Sequence, residues 1–231
     1  MLPLSLFQDP AAMTTLGESF AKGGFMMWPI LGCSVVTVGL AFERYTNLRR
    51  GRVLPPAVVD AVSEIAAGRA GEVAVGIAEA DAPGARVLAA GLRRRGFPLV
   101  DVERAMSDQL GKEGARLRGN IRGITLMAAV APLCGLLGTV LGIATAFAAI
   151  EKSGLDRAET LASGIGVALY TTIFGLIVAI PSTMLAAHLQ GRVRKLLLAM
   201  DGALSPAVEA LAATAAPAVT PAVAKDSTHA A

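Results

Sequence analysis

The chain has 231 residues, of which 54% are hydrophobic and 17% charged, with a formal net charge of +3 and a mean hydropathy of +0.58. That balance excludes an ordinary soluble domain, in which about a quarter of the residues carry charge. A pI near 9.1 would suit a nucleic-acid partner, but the arginines sit beside apolar runs, which fits a membrane protein with basic flanks and no nucleic acid.

Charge is segregated along the chain. Gly23 to Phe42, Gly123 to Ile150 and Leu161 to Ala187 contain no Asp, Glu, Lys or Arg, whereas Arg44 to Arg122 is dense in them. Each run reaches the roughly 18 to 20 apolar residues needed to cross about 30 Å of hydrocarbon at about 1.5 Å per residue. The sequence therefore predicts an all-α membrane protein with three transmembrane helices, in contact with lipid, and long cytoplasmic helical extensions.

Residues 1–22 form a periplasmic segment whose mixed apolar and polar residues, Leu2 to Phe20, suit an interfacial helix. No basic region precedes the first apolar run, so that run reads as a retained anchor rather than a cleaved signal. The first transmembrane helix spans 23–43. Lys22 is the one basic residue before it, while Arg44, Arg49, Arg50 and Arg52 follow it, so the trailing side is cytoplasmic and the N-terminus periplasmic. A cytoplasmic helical domain takes 44–122, with breaks near Gly68, Pro83 and Gly96-Phe97-Pro98 and a last helix that starts near Pro98 and enters the second span.

The second transmembrane helix covers 123–150, a short periplasmic loop 151–160, and the third helix 161–189. Arg192, Arg194 and Lys195 then mark the cytoplasm again, at the start of a cytoplasmic helix over 190–216. The Ala-, Pro- and Thr-rich tail 217–231 cannot bury a core and reads as disordered. The expected localisation is a multi-pass protein of the bacterial inner membrane with its C-terminus in the cytoplasm.

Chemistry in the spans is sparse. Pro132, Gly135, Thr139, Gly142 and Ala146 recur at helical spacing in the second, and Gly164, Ala168, Thr172, Gly175, Ala179 and Ser182 in the third. Small faces let helices approach closely in lipid, so these are packing or pore-lining faces. Two such faces beside bulky ones exceed what a three-helix monomer can hide, which predicts a homo-oligomer. Thr139 and Thr172 have two readings: pore-facing hydroxyls, or hydroxyls bonded only to their own helix. Pro132 and Pro181 are tolerated where neighbours resatisfy the backbone, with Pro181 as a candidate kink.

No carboxylate or histidine lies at mid-depth in any span, so a proton path through this chain needs a titrating group from a partner. Cys33 and Cys134 lie inside spans and are expected to be free thiols. His188 and His229 are isolated, so no metal site or cofactor is expected, and no pairing of nucleophile and base suggests an enzyme.

The stretches Ala131-Pro132-Leu133-Cys134-Gly135-Leu136-Leu137-Gly138-Thr139-Val140-Leu141-Gly142 and Gly164 to Pro181 resemble the MotA/TolQ/ExbB proton-channel family, more its ExbB and TolQ branch than the flagellar stators. Trp28-Pro29 and Glu43-Arg44 at the ends of the first span add to the resemblance. It implies a pentameric ring whose second and third helices line a pore. An ExbD- or TolR-like single-span partner would supply a transmembrane aspartate, and proton flow would energise a TonB- or TolA-like protein. It also marks Thr139 and Thr172 as pore-facing, with Thr171 as an adjacent candidate. Some ExbB proteins carry a glutamate where this chain has Val167, which leaves the pore dependent on threonines and the partner's acid. Alternatives are TolQ-like envelope maintenance, a motility or export motor subunit, or a non-conducting scaffold.

Overall fold

Helix is the only regular structure in the computed structural model, which describes residues 20, 23–70, 76–77, 81–153 and 158–213. Most of the predicted interfacial segment, the middle of the 151–160 loop and the tail 217–231 lie outside these residues. The described elements are α1 (Met27–Asn47), α2 (Arg50–Val53), α3 (Pro56–Ala66), α4 (Pro83–Leu92), α5 (Leu99–Ser153) and α6 (Ala158–Ala213).

Local sequence sets most of these limits. Pro56 and Pro83 open α3 and α4, where the missing N–H costs nothing. After α3, Gly68 adopts φ 89°, and before α5, Gly96 adopts φ 80°, a left-handed conformation that side-chain-bearing residues rarely take. Helices α5 and α6 contain 55 and 56 residues, or about 80 Å each at about 1.5 Å per residue, far more than a bilayer core requires.

Two helical stretches, Leu99–Glu151 and Ala162–Ala213, are long and apolar enough to cross a membrane by length and composition, each holding an 18-residue segment, of mean hydropathy 2.1 and 2.0 respectively. Helix α1 is not among them. It begins only at Met27, so any 18-residue stretch within it must include Glu43 and Arg44.

The chain divides into two compact units, Met1–Leu48 with Leu117–Arg194, and Arg49–Arg116 with Lys195–Ala231. In the first, α1 packs on α5 and α6 through Cys33, Ala131 and Ala179, with Met127, Val130 and Val178 around them. Phe20 makes edge-on ring contacts with Trp28 and Phe174, each with centroids 6.3 Å apart, which tethers the start of α1 to α6.

In the second unit, Leu88, Val58, Ile65, Met200 and Leu211 are fully buried. Glu113 in the same unit is also fully buried. Its carboxylate accepts paired hydrogen bonds from Arg86 at 2.9 and 2.8 Å, one from Gln109 at 2.9 Å and one from Arg116 at 3.1 Å. Burial pushes this carboxyl up, but the Arg86 hydrogen bonds and charge, with Arg116 and Gln109, outweigh it and hold Glu113 below the usual carboxylate range.

Candidate functional site

The apolar parts of α5 and α6 face each other through their small residues, and glycines define how closely. A Cβ at Gly142 would lie 3.1 Å from the Gly164 carbonyl oxygen, and one at Gly164 only 2.5 Å from the Ala146 Cβ. At the next level a Cβ at Gly138 would lie 2.6 Å from the Thr171 hydroxyl oxygen. Further along, one at Gly135 would lie 2.9 Å from the Thr171 carbonyl oxygen, and one at Gly175 would lie 2.8 Å from that of Ala131. The helices run antiparallel here, because the contacts climb α5 as they descend α6.

The contact stripe is therefore Ala131, Gly135, Gly138, Gly142 and Ala146 against Gly164, Ala168, Thr171, Gly175 and Ala179. It includes Gly135, Gly142, Ala146, Gly164, Ala168, Gly175 and Ala179 from the sequence pattern, but turns through Ala131, Gly138 and Thr171 where that pattern ran through Pro132, Thr139 and Thr172. Pro132 and Thr139 are half-buried beside the stripe, and Ser182, buried on α6, donates to Val178 O at 2.6 Å.

This geometry corrects one inference. The small faces of α5 and α6 cover each other inside a single chain, so they do not by themselves demand a second copy. What the chain leaves uncovered is bulky: Leu133, Leu136, Val140 and Phe147 on α5, with Leu169, Ile173, Ile177 and Ile180 on α6, are all exposed.

The three threonines occupy different environments. Thr171 is fully buried, and its hydroxyl donates to Ala168 O at 2.8 Å. Thr139 donates to Leu136 O at 2.6 Å. Thr172 differs from both: its Oγ1 is buried and has no hydrogen-bond partner among the described residues. A buried hydroxyl without a partner costs on the order of 1 to 3 kcal/mol, so it is the hydroxyl with unspent bonding capacity. Thr37 Oγ1 on α1 is in the same condition. It went unmarked in the sequence because one threonine in an apolar run carries no pattern.

Val167 lies close to the turn that precedes α1: a Cβ at Gly24 would be 3.6 Å from Val167 Cγ1. Pro181 sits within α6 with its ring exposed, beside a groove of about 290 Å³ shared with Thr37, Val38 and Ser182. Cys33 and Cys134 are free thiols.

A polar cluster closes the other end of α1. Glu43 accepts two hydrogen bonds from Asn120 Nδ2, at 2.9 and 2.7 Å, and one from Asn47 at 3.3 Å. Arg44, buried, donates to Leu117 O at 3.3 Å, and Arg192 lies over the Tyr45 ring at 5.4 Å. Glu43-Arg44 was visible in the sequence, but Asn120, 77 positions away, was not.

Two antiparallel apolar helices pack glycine to backbone, and their charge-free stretches bear hydroxyls but no carboxylate, ammonium, guanidinium or imidazole. Residues 79–202 match the MotA/TolQ/ExbB proton channel family. The chain belongs to that family, in its ExbB-like branch. An ExbB-like biopolymer transport protein of Synechocystis is 34% identical over 191 residues, covering 77% of this chain and 70% of that protein. The biopolymer transport protein exbB1 of Vibrio cholerae is 30% identical over 175 residues, covering 74% and 77%. The Tol-Pal system protein TolQ of Haemophilus influenzae is 37% identical over a shorter 90 residues, 39% of this chain and 40% of that protein. The family and the two apolar helices make this a membrane protein, a subunit of a transport channel.

Proposed function

We propose that this chain is the pore-forming subunit of an inner-membrane complex that converts the proton motive force into mechanical work on a protein spanning the periplasm. The observation that carries this reading is a mismatch. The chain belongs to a proton-channel family, yet Gly123 to Ile150 and Leu161 to Ala187 contain hydroxyls and no titratable carboxylate, ammonium or imidazole. A proton crossing hydrocarbon needs such a group along its path, so a second chain must bring it.

In this proposal α1 is the third crossing. The N-terminus is periplasmic, the C-terminus cytoplasmic, and the chain is divided as the charge pattern predicts. Five copies form a ring, with α5 and α6 of each around the lumen. An ExbD- or TolR-like partner threads one helix through it and supplies an aspartate, while a TonB- or TolA-like protein receives the motion. Thr172 is the hydroxyl assigned to meet the partner's acid: its oxygen is buried without a hydrogen-bond partner among the described residues, so a change of χ1 that exposes it loses no bond. Thr139 on α5 is a second lumen candidate, and Thr171 acts in packing. The likeness to exbB1 favours an uptake role; the shorter likeness to TolQ leaves envelope maintenance as the second reading.

The test is co-purification of this chain with the single-span protein encoded beside it. Native mass spectrometry should give a five-copy ring that retains the smaller chain, and replacing that chain's transmembrane Asp with Asn should abolish proton-dependent work while leaving the complex intact. A stable monomer, or full function with the Asn variant, contradicts the proposal.

A further inference from the structure

The unit built from Arg49–Arg116 and Lys195–Ala231 carries a groove of about 550 Å³ that the proton path does not use. Val87, Met106 and Leu204, all buried, line it together with three exposed carboxylates, Glu103, Asp201 and Glu209. None of the three carboxylates has a cationic partner among the described residues, and no basic residue lines the groove. Three like charges around an apolar floor invite a ligand that is cationic outside and apolar at its tip.

The same chain displays such an object. Between α4 and α5, Arg93, Arg94 and Arg95 are exposed, and Phe97 beside them is 46% exposed. The turn is held in shape. Gly96 takes φ 80° and donates its N–H to Leu211 O at 3.3 Å, while the Arg94 guanidinium lies 5.4 Å over the Phe97 ring. The turn adjoins its own groove, since Leu99, which lines the groove, opens α5 two residues after Phe97, but none of the three arginines lines it, and the bond to Leu211 holds the turn where it is.

We propose that the groove of one copy receives the Arg93–Phe97 turn of a neighbouring copy, with Phe97 over Met106 and Leu204 and the arginines against Glu103, Asp201 and Glu209. The pairing rests on the ring proposed above. Turn and groove are different patches of one surface, so the contact is head-to-tail, the kind that closes a ring when its rotation permits. A five-residue turn covers far less than the roughly 1,000 Å² that a stable interface needs. The contact therefore selects register between neighbours rather than supplying most of the affinity, and salt should weaken it.

The experiment uses the full chain, co-expressed with its single-span partner, in a background of Cys33→Ala and Cys134→Ala. One tagged copy carries Arg95→Cys and a differently tagged copy carries Ser205→Cys on the groove wall. Mild oxidation should give a disulfide joining the two tags. Its yield should fall several-fold with Asp201→Arg in the groove copy and recover when the other copy carries Arg94→Glu. A ring that native mass spectrometry shows intact, but that gives no product between tags, overturns this pairing and leaves the ring standing. A product formed with the smaller partner instead, or one indifferent to charge reversal, also overturns it. A monomeric preparation overturns the pairing and the ring together.

Discussion

Gly138 and Thr171 meet in the seam between α5 and α6: a Cβ at position 138 would sit 2.6 Å from the Thr171 hydroxyl oxygen, and Thr171 is fully buried in the space that the glycine leaves. Gly138→Ala should therefore force the helices apart and destabilise the chain by roughly 1 to 3 kcal/mol, the usual cost of overpacking. Thr171→Ala removes two of the three atoms that clash, Oγ1 and Cγ2, and leaves Cβ 2.7 Å away, so it relieves the crowding in part. The double variant should be more stable than the two single effects predict, by about 0.5 to 3 kcal/mol of coupling. Survival of the assembled complex on heating in detergent measures it, and simple additivity would place the two residues apart.

The threonines should separate by function. Thr172→Val keeps the volume and removes the hydroxyl that has no partner among the described residues, so assembly should be normal and proton-dependent work impaired, with Thr172→Ser retaining more activity. Thr139→Val should be milder. Thr171→Val should cost little activity, since its hydroxyl only returns to Ala168 O. Equal activity in all four variants would remove the hydroxyls from the mechanism.

How much of this was legible in the sequence follows from what each signal depends on. Charge segregation is a property of composition, so Gly123 to Ile150 and Leu161 to Ala187 could be marked as candidate spans without coordinates, and both lie in the helices apolar enough to cross. The rotation of the small faces was not legible. Ala131 beside Pro132, Gly138 beside Thr139 and Thr171 beside Thr172 offer two stripes about 100° apart, each with helical spacing, and only backbone approach distinguishes them. The Glu113–Arg86 pair was hidden for a different reason: its members lie 27 residues apart on separate helices, in a stretch where charges read as solvated.

That pair carries its own prediction. Arg86 is a third exposed, while the Glu113 side chain is almost wholly buried, so Arg86→Ala leaves a buried carboxylate held only by Gln109 and Arg116 and should cost roughly 3 kcal/mol, more than Glu113→Gln. Glu113 has a depressed pKa in the folded chain, so its stabilisation is present above the ordinary glutamate range and is lost as pH falls through the lower folded value. Thermal melts should show wild type losing stability below about pH 4 relative to Glu113→Gln. Parallel pH profiles would contradict this.

Orientation is tested by labelling. The arginine asymmetry predicts that single cysteines replacing Asp9 and Asp156, in a chain lacking Cys33 and Cys134, react with an impermeant reagent added to the periplasmic side, and that one replacing Glu79 does not. Labelling at Glu79 in intact cells would invert the topology.

The central claim is that this chain supplies the walls of a proton path and another chain supplies the acid. Proton uptake into vesicles, followed with a pH-sensitive dye under an imposed membrane potential, tests it most directly. Vesicles holding this chain with its single-span partner should take up protons, those holding the chain alone or with the partner's Asp→Asn variant should not, and Thr172→Val should slow uptake in the intact complex. Equal uptake by the chain alone would contradict the account, because the charge-free stretches of α5 and α6 hold no carboxylate or imidazole to carry the flow.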